Sequence, residues 1–214
     1  HITTCIFDLD GVICDTAKYH YLAWHRLSAS IGFELTPDHD DKMKGIGRME
    51  SLELILNWAH LSFSNEVKIK LCEQKNNWFV EYIQTITHLD ILPGVQDFLN
   101  NLKEEGFKIA LGSASKNAPV ILDKLGIVNY FDAIVDGNTA SRPKPNPDIF
   151  LQGAKLTNSN PAECVVFEDA ESGVEAALAG GMFVVAIGNS QALEKAHRRI
   201  ESFIGFNSSD LKRL

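Results

Sequence analysis

Two aspartates spaced by one residue, Asp8 and Asp10, stand at the end of the apolar run 2–9 and immediately before Gly11. Side chains two apart on an extended chain share a face, so both carboxylates point to one side if strand geometry persists to Asp10. The C-terminal ends of strands form the ligand crevice of open α/β sheets. Two carboxylates there need neutralising, and Mg²⁺ suits hard oxygen ligands. One carboxylate can attack phosphorus and become an aspartyl phosphate. The other can pass a proton to or from a substrate hydroxyl. Taken alone, the D-x-D-G run fits a turn punctuated by Asp10-Gly11 equally well.

A second acidic pair, Glu168-Asp169, follows the strand-like run 164–167, where a carboxylate can share the same metal. Its competing reading is a helix first turn, which favours acidic side chains. The cations and donors that a phosphate ligand requires stand after other strand-like runs. Ser113-Ala114-Ser115-Lys116-Asn117 follows the run 108–112 and opens a helix. Ser115 or Asn117 can serve as an N-cap, and free N–H groups at a helix start also bind phosphate. Lys144 lies within Arg142-Pro143-Lys144-Pro145-Asn146-Pro147, where prolines restrict the backbone and pre-position the ammonium group. Otherwise it is a solvated surface lysine.

The elements that must hold these residues are short apolar runs at 2–9, 108–112, 133–135, 164–167 and 183–187, with a weaker sixth around 202–206. Helical stretches separate them. One follows Pro93-Gly94 with Val95, Phe98, Leu99 and Leu102 on one face, one spans 118–125 and stops at Gly126, and one spans 172–179. Strand alternating with helix predicts a parallel, doubly wound α/β sheet. Residues 17–86 break the rhythm and read as helix throughout, an all-helical insert after the first strand. It carries Ala17, His20, Trp24, Leu27 and Ile31 at helical spacing, then Thr36-Pro37 as a helix start. A loop at 44–47 leads to a helix bearing Leu52, Ile55, Leu56 and Ala59, and the last segment puts Leu71, Trp78 and Tyr82 on one stripe, with Lys75 at the same spacing. The expected division is a core of 1–16 and 87–214 with a cap of 17–86.

With 45% hydrophobic and 22% charged residues the chain can bury a substantial core. No apolar run is long enough to span a bilayer and no secretory leader is read. The four scattered cysteines, Cys5, Cys14, Cys72 and Cys164, lack zinc-type spacing; Cys5 and Cys164 read as small buried hydrophobes of a reduced, cytoplasmic protein. A net charge of −8 argues against nucleic acid and requires that any anionic ligand meet locally placed cations. A monomer acting on a small molecule, with no nucleic-acid or membrane partner, is the expectation.

The run Phe7-Asp8-Leu9-Asp10-Gly11-Val12 through Asp15-Thr16, with Ser113, Lys144 and Glu168-Asp169, resembles the four-motif signature of the haloacid dehalogenase-like phosphotransferases over essentially the whole core. The resemblance implies a Rossmann-like core with an inserted all-helical cap domain. It implies Asp8 as nucleophile, Asp10 as acid/base, and Ser113 and Lys144 as binders of the transferring phosphoryl group. Mg²⁺ would be held by Asp8, the backbone carbonyl of Asp10 and Asp169, with Glu168 beside it.

Most enzymes with this core hydrolyse phosphate esters, so a Mg²⁺-dependent sugar-phosphate phosphatase is one reading. The cap favours another. Lys44-Gly45-Ile46-Gly47-Arg48 with Ser51 resembles the cap loop of the β-phosphoglucomutase family, as does Ser113–Asn117, and Thr16, His20, Trp24 and Lys75 fall at matching positions. That resemblance implies interconversion of β-D-glucose 1-phosphate and D-glucose 6-phosphate, primed through β-glucose 1,6-bisphosphate. A bisphosphate needs a second site, expected at Arg48, Ser115, Lys116 and Asn117, where arginine can pair with phosphate through two parallel hydrogen bonds. His20 and Trp24 either pack in the cap or line the sugar pocket, and Lys75 is either a snorkelling lysine or part of that lining. Asp38-His39-Asp40-Asp41 reads as a solvated helix start rather than a metal cluster. A non-catalytic sugar-phosphate-binding module is the alternative from another class.

Overall fold

A computed structural model describes residues 1–140 and 142–213. Six strands form one parallel sheet in the order β3-β2-β1-β4-β5-β6. They are β1 (Thr4–Phe7), β2 (Lys108–Gly112), β3 (Ala133–Val135), β4 (Cys164–Glu168), β5 (Phe183–Ile187) and β6 (Arg198–Ile200). The expected doubly wound α/β architecture is therefore present. β1 is central, hydrogen-bonded to β2 on one side and β4 on the other. The strand order reverses there, so the loops after β1 and β4 open onto the crevice at a topological switch point.

Central parallel strands bury both faces, which is why they read as unbroken apolar runs. One face carries an aromatic cluster in which Phe7 stacks on Phe167 at 4.7 Å between ring centroids, with Phe98 edge-on at 6.0 Å from Phe7. The other face is lined by Ile6, Ala110 and Val166 against Phe150 of α7 (Asp148–Leu156). Helix α5 (Val95–Glu104) turns Val95, Phe98, Leu99 and Leu102 inward, as its spacing predicts. α6 (Ala118–Leu125) ends at Gly126, whose left-handed φ of 71° suits glycine, and α8 (Glu171–Ala179) follows β4. Cys5 and Cys164 are buried free thiols, in line with their apolar setting.

The sixth strand differs from expectation. Residues 202–206 form no strand; Phe203 and Phe206 enter the aromatic core from a loop that turns at Gly205, φ 74°. The actual edge strand is Arg198–Ile200, whose charge hid it from an apolar search. Arginine on an edge strand discourages further strand pairing.

Between β1 and α5 lie α1 (Ala17–Ser30), α2 (Pro37–Met43), α3 (Arg48–Trp58) and α4 (Asn65–Tyr82). They enclose their own buried cluster, including Trp24, Leu27, Leu52, Ile55 and Leu56. Of the expected stripe on α4 only Lys75 is buried; Leu71, Trp78 and Tyr82 are half-buried, and Cys72 and Phe79 are the apolar residues buried beside Lys75. Among the described residues no helix is long and apolar enough to cross a membrane.

Candidate active site

β1 ends at Phe7, but the Asp8 N–H still donates to the Phe167 carbonyl of β4 at 3.0 Å, and Asp10 forms an isolated bridge with Cys14. Both carboxylates therefore reach a cavity of about 540 Å³ between the sheet's C-terminal edge and the helical insert. Gly11 turns the chain at φ 83°, and a Cβ there would lie 2.1 Å from Asp169 Oδ2. Only glycine lets the two acidic loops approach so closely.

Lys144 Nζ lies 2.8 Å from Asp8 Oδ1 and 2.6 Å from Glu168 Oε1, with all three side chains buried. The other Glu168 oxygen accepts from the Ala170 N–H at 2.8 Å. Both oxygens of Glu168 are thus engaged, which makes it a holder of Lys144 at least as much as a metal ligand. Asp8, Glu168 and Asp169 each offer an oxygen within 4.8 Å of the others. Burial raises the Asp8 carboxyl to about 7, with Glu168 and Asp10 adding to the rise and Lys144 opposing it. Asp169 is likewise pushed well up by burial, Glu168 and Asp8. One ammonium group cannot neutralise three clustered carboxylates, so the donor set fits a hard divalent cation bound through oxygen.

Asp10 is held differently. Thr16 Oγ1 donates to its Oδ1, and His20 Nε2 approaches the same oxygen at 3.3 Å. Lys75 Nζ stands 2.8 Å from His20 Nδ1, so the relay is satisfied when lysine donates to Nδ1 and Nε2–H donates to Asp10. His20 stacks on Phe79 at 4.0 Å, fixing the ring plane. Burial opposes ionisation of Asp10, but His20, Thr16 and Lys75 more than offset it and hold the carboxyl below the usual range. Burial lowers Lys75 to about 7, assisted by Arg48, while its ammonium lies 4.8 Å above the Trp24 ring. Two neighbouring carboxyls thus sit in opposed environments, one pushed up and one held down, which is how paired acids acquire separate roles.

The structure brings His20, Trp24, Lys44, Gly45, Ile46, Arg48, Ser51 and Lys75 to the insert side of the cavity. Ser115, Lys116, Asn117 and Lys144 line the sheet side. Four expected residues stand behind the wall rather than on it, the fully buried Glu168 described above among them. Thr16 is fully buried beneath Asp10, so it positions that carboxylate rather than contacting the cavity. Ser113 is also fully buried, its Oγ accepting from the Ser115 N–H at 3.1 Å and bracing the loop. Asp169 faces Gly11 and the other acids. Ser51 lines the wall yet donates to the Gly47 carbonyl at 3.0 Å, which tightens the loop before Arg48.

Sequence reasoning missed other residues. Asp40, read as part of a solvated helix start, lines the cavity and is raised to about 6 by burial. Ser172 donates to the Lys44 carbonyl at 3.0 Å, tying α8 to the loop before α3. Asn76, next to Lys75 on α4, accepts from both Arg48 and Asn117. None carries a motif signal; each is found only when the insert is placed against the sheet.

Residues 2–181 match the family described as haloacid dehalogenase-like hydrolase. A β-phosphoglucomutase of Bacillus subtilis is 45% identical over 88% of this chain and 84% of its own length. A phosphorylated carbohydrates phosphatase of Thermotoga maritima is 32% identical over 83% of this chain and 81% of its own. The crystal structure of β-phosphoglucomutase from Clostridium difficile superposes with a TM-score of 0.96 at 43% identity, covering 100% of this chain and 96% of that one.

Proposed function

The chain belongs to the haloacid dehalogenase-like hydrolase family, and on that premise we infer that it is a phosphomutase, interconverting β-D-glucose 1-phosphate and D-glucose 6-phosphate. The observation that carries this reading is a single cavity with two separate places for a phosphoryl group, one at a carboxylate paired with a cation and one among anion-binding groups alone. Asp8 and Lys144 mark one, and Arg48, Lys116 and Asn117 the other. A phosphatase needs only the first; a bisphosphate intermediate needs both. The similarity to two β-phosphoglucomutases over most of their lengths supports the same choice.

Phosphorylated Asp8 gives its phosphoryl group to the sugar 6-hydroxyl, the O–P bond to Asp8 breaking as the new one forms. Asp10 takes the hydroxyl proton. The β-glucose 1,6-bisphosphate so formed turns in the cavity and presents its 1-phosphate to the Asp8 carboxylate. Asp8 attacks that phosphorus, and Asp10 returns the proton to the departing sugar oxygen. Thr16, His20 and Lys75 aim Asp10 throughout, while Lys144 neutralises charge beside Asp8. Asp8, Asp169 and the Asp10 backbone carbonyl, with Glu168 alongside, would hold Mg²⁺, which when bound supplies charge neutralisation for phosphoryl transfer. The bisphosphate serves as priming cofactor. Residues 17–86 act as a cap over a core of 1–16 and 87–214, and closure excludes water that would hydrolyse the aspartyl phosphate. A cytoplasmic monomer acting on free sugar phosphate completes the reading.

Replacing Asp8 by Asn tests the nucleophile. Turnover should fall by on the order of 10⁴-fold or more, and no phosphorylated enzyme should form with the bisphosphate. Retained phosphoenzyme in that variant would remove Asp8 from the role.

A further inference from the structure

Arg48 opens α3 in the insert, and Asn117 precedes α6 in the sheet domain, so their relative position depends on how the two parts meet. One atom joins them. Oδ1 of Asn76, on α4, accepts from Arg48 Nη2 at 2.8 Å and from Asn117 Nδ2 at 2.9 Å. Arg48 and Asn117 line the cavity, whereas Asn76 stands outside the lining. Arg48 is half-buried, and among the described residues its guanidinium bonds to the Asn76 amide and to no carboxylate.

A guanidinium carries five N–H donors and a side-chain amide two, so each donor group keeps free hydrogens while bonded to Asn76. A neutral acceptor suits this place. It fixes both donors without cancelling the arginine charge, as a carboxylate would. We propose that Asn76 is a positioning residue for the phosphate group remote from Asp8, clamping Arg48 of the cap to Asn117 of the core so that the distal site is complete only when the two parts are together. This inference rests on the two-site reading above. It adds a residue that touches no reacting atom and acts through the two that do.

The test compares steady-state kinetics for β-glucose 1-phosphate with those for acetyl phosphate, which carries no distal group, in the wild type and in Asn76→Ala, Arg48→Ala, Asn117→Ala and the Asn76→Ala/Asn117→Ala pair. Alanine is favourable within a helix, so α4 should persist, and a melting curve checks it. Loss of a hydrogen bond to a charged group should raise KM for β-glucose 1-phosphate about tenfold in Asn76→Ala, with acetyl phosphate turnover changed less than about twofold. In the Asn117→Ala background the same substitution should add less than half of that effect, because the clamp is already broken. An unchanged KM in Asn76→Ala alongside a raised KM in Arg48→Ala overturns the clamp and leaves the distal site standing. Equal losses on both substrates, or full additivity with Asn117→Ala, overturn it as well. An unchanged KM in Arg48→Ala overturns the distal site itself, and the clamp with it.

Discussion

At the residue scale, the chemistry depends on giving neighbouring acids opposite proton affinities. Asp8 is raised to about 7 chiefly by burial, and a bound cation would reverse that shift. Asp10 is held down against its burial by His20, Thr16 and Lys75, and the cost in stability falls on the buried Lys75. Lys75 is buried and lowered to about 7 from 10.5, mainly by burial. The unfolded chain therefore holds more protons between about pH 7 and 10.5, and stability should rise with pH across that window. Below pH 7 the penalty of the buried cation is complete. Lys75→Met should thus stabilise the fold by about 1–3 kcal/mol at pH 6 and by progressively less towards pH 10, while turnover falls because His20 loses its donor. Chemical denaturation at both pH values checks this; a gain that does not shrink with rising pH would contradict it. Asp10 and Lys144 were legible in the sequence because motif and spacing mark them. Asp40, Asn76 and Ser172 were not, because a polar residue on a helix start or helix face looks alike whether it meets solvent or another domain.

At the element scale, the site is built where loops after β1, β2, β3 and β4 converge, and glycine sets how closely the first and last of them meet. Gly11 combines a positive φ with a Cβ position 2.1 Å from Asp169. Gly11→Ala should cost about 1–3 kcal/mol in backbone strain. By displacing Asp169 it should also raise the Mg²⁺ concentration needed for half-maximal activity by about tenfold or more. A metal titration of activity with a parallel melting curve separates the two effects, and an unaltered Mg²⁺ requirement would count against Asp169 as a ligand. Five of the strands were readable because buried parallel strands are continuous apolar runs. The sixth was misplaced to 202–206 because Phe203 and Phe206 supply core area from a loop, while the true edge strand is mostly arginine. On α4 the spacing placed Lys75 on the inner stripe, where its ammonium stands over the Trp24 and Phe79 rings, but Cys72 and Phe79 rather than Leu71 and Trp78 are buried beside it.

At the scale of the whole molecule, a chain of net charge −8 recruits six of its twenty basic side chains to one cavity: Lys44, Arg48, Lys75, Lys116, Arg142 and Lys144. They come from the insert and from the sheet domain, so the field that attracts phosphate is complete only where the two meet. Arg48→Ala should accordingly lower mutase turnover by roughly 100-fold while hydrolysis of a small phosphoester falls much less. Equal losses would argue against a second phosphate site. Composition foretold that cations must gather locally, but which ones gather is a property of the assembled cavity. What sets a mutase apart from a phosphatase is transfer of the phosphoryl group to sugar rather than to water. Incubation with Mg²⁺, β-glucose 1-phosphate and a catalytic amount of β-glucose 1,6-bisphosphate, followed by phosphorus NMR, tests it most directly. The signal should convert to glucose 6-phosphate with little inorganic phosphate released; free glucose and inorganic phosphate as the main products would contradict it.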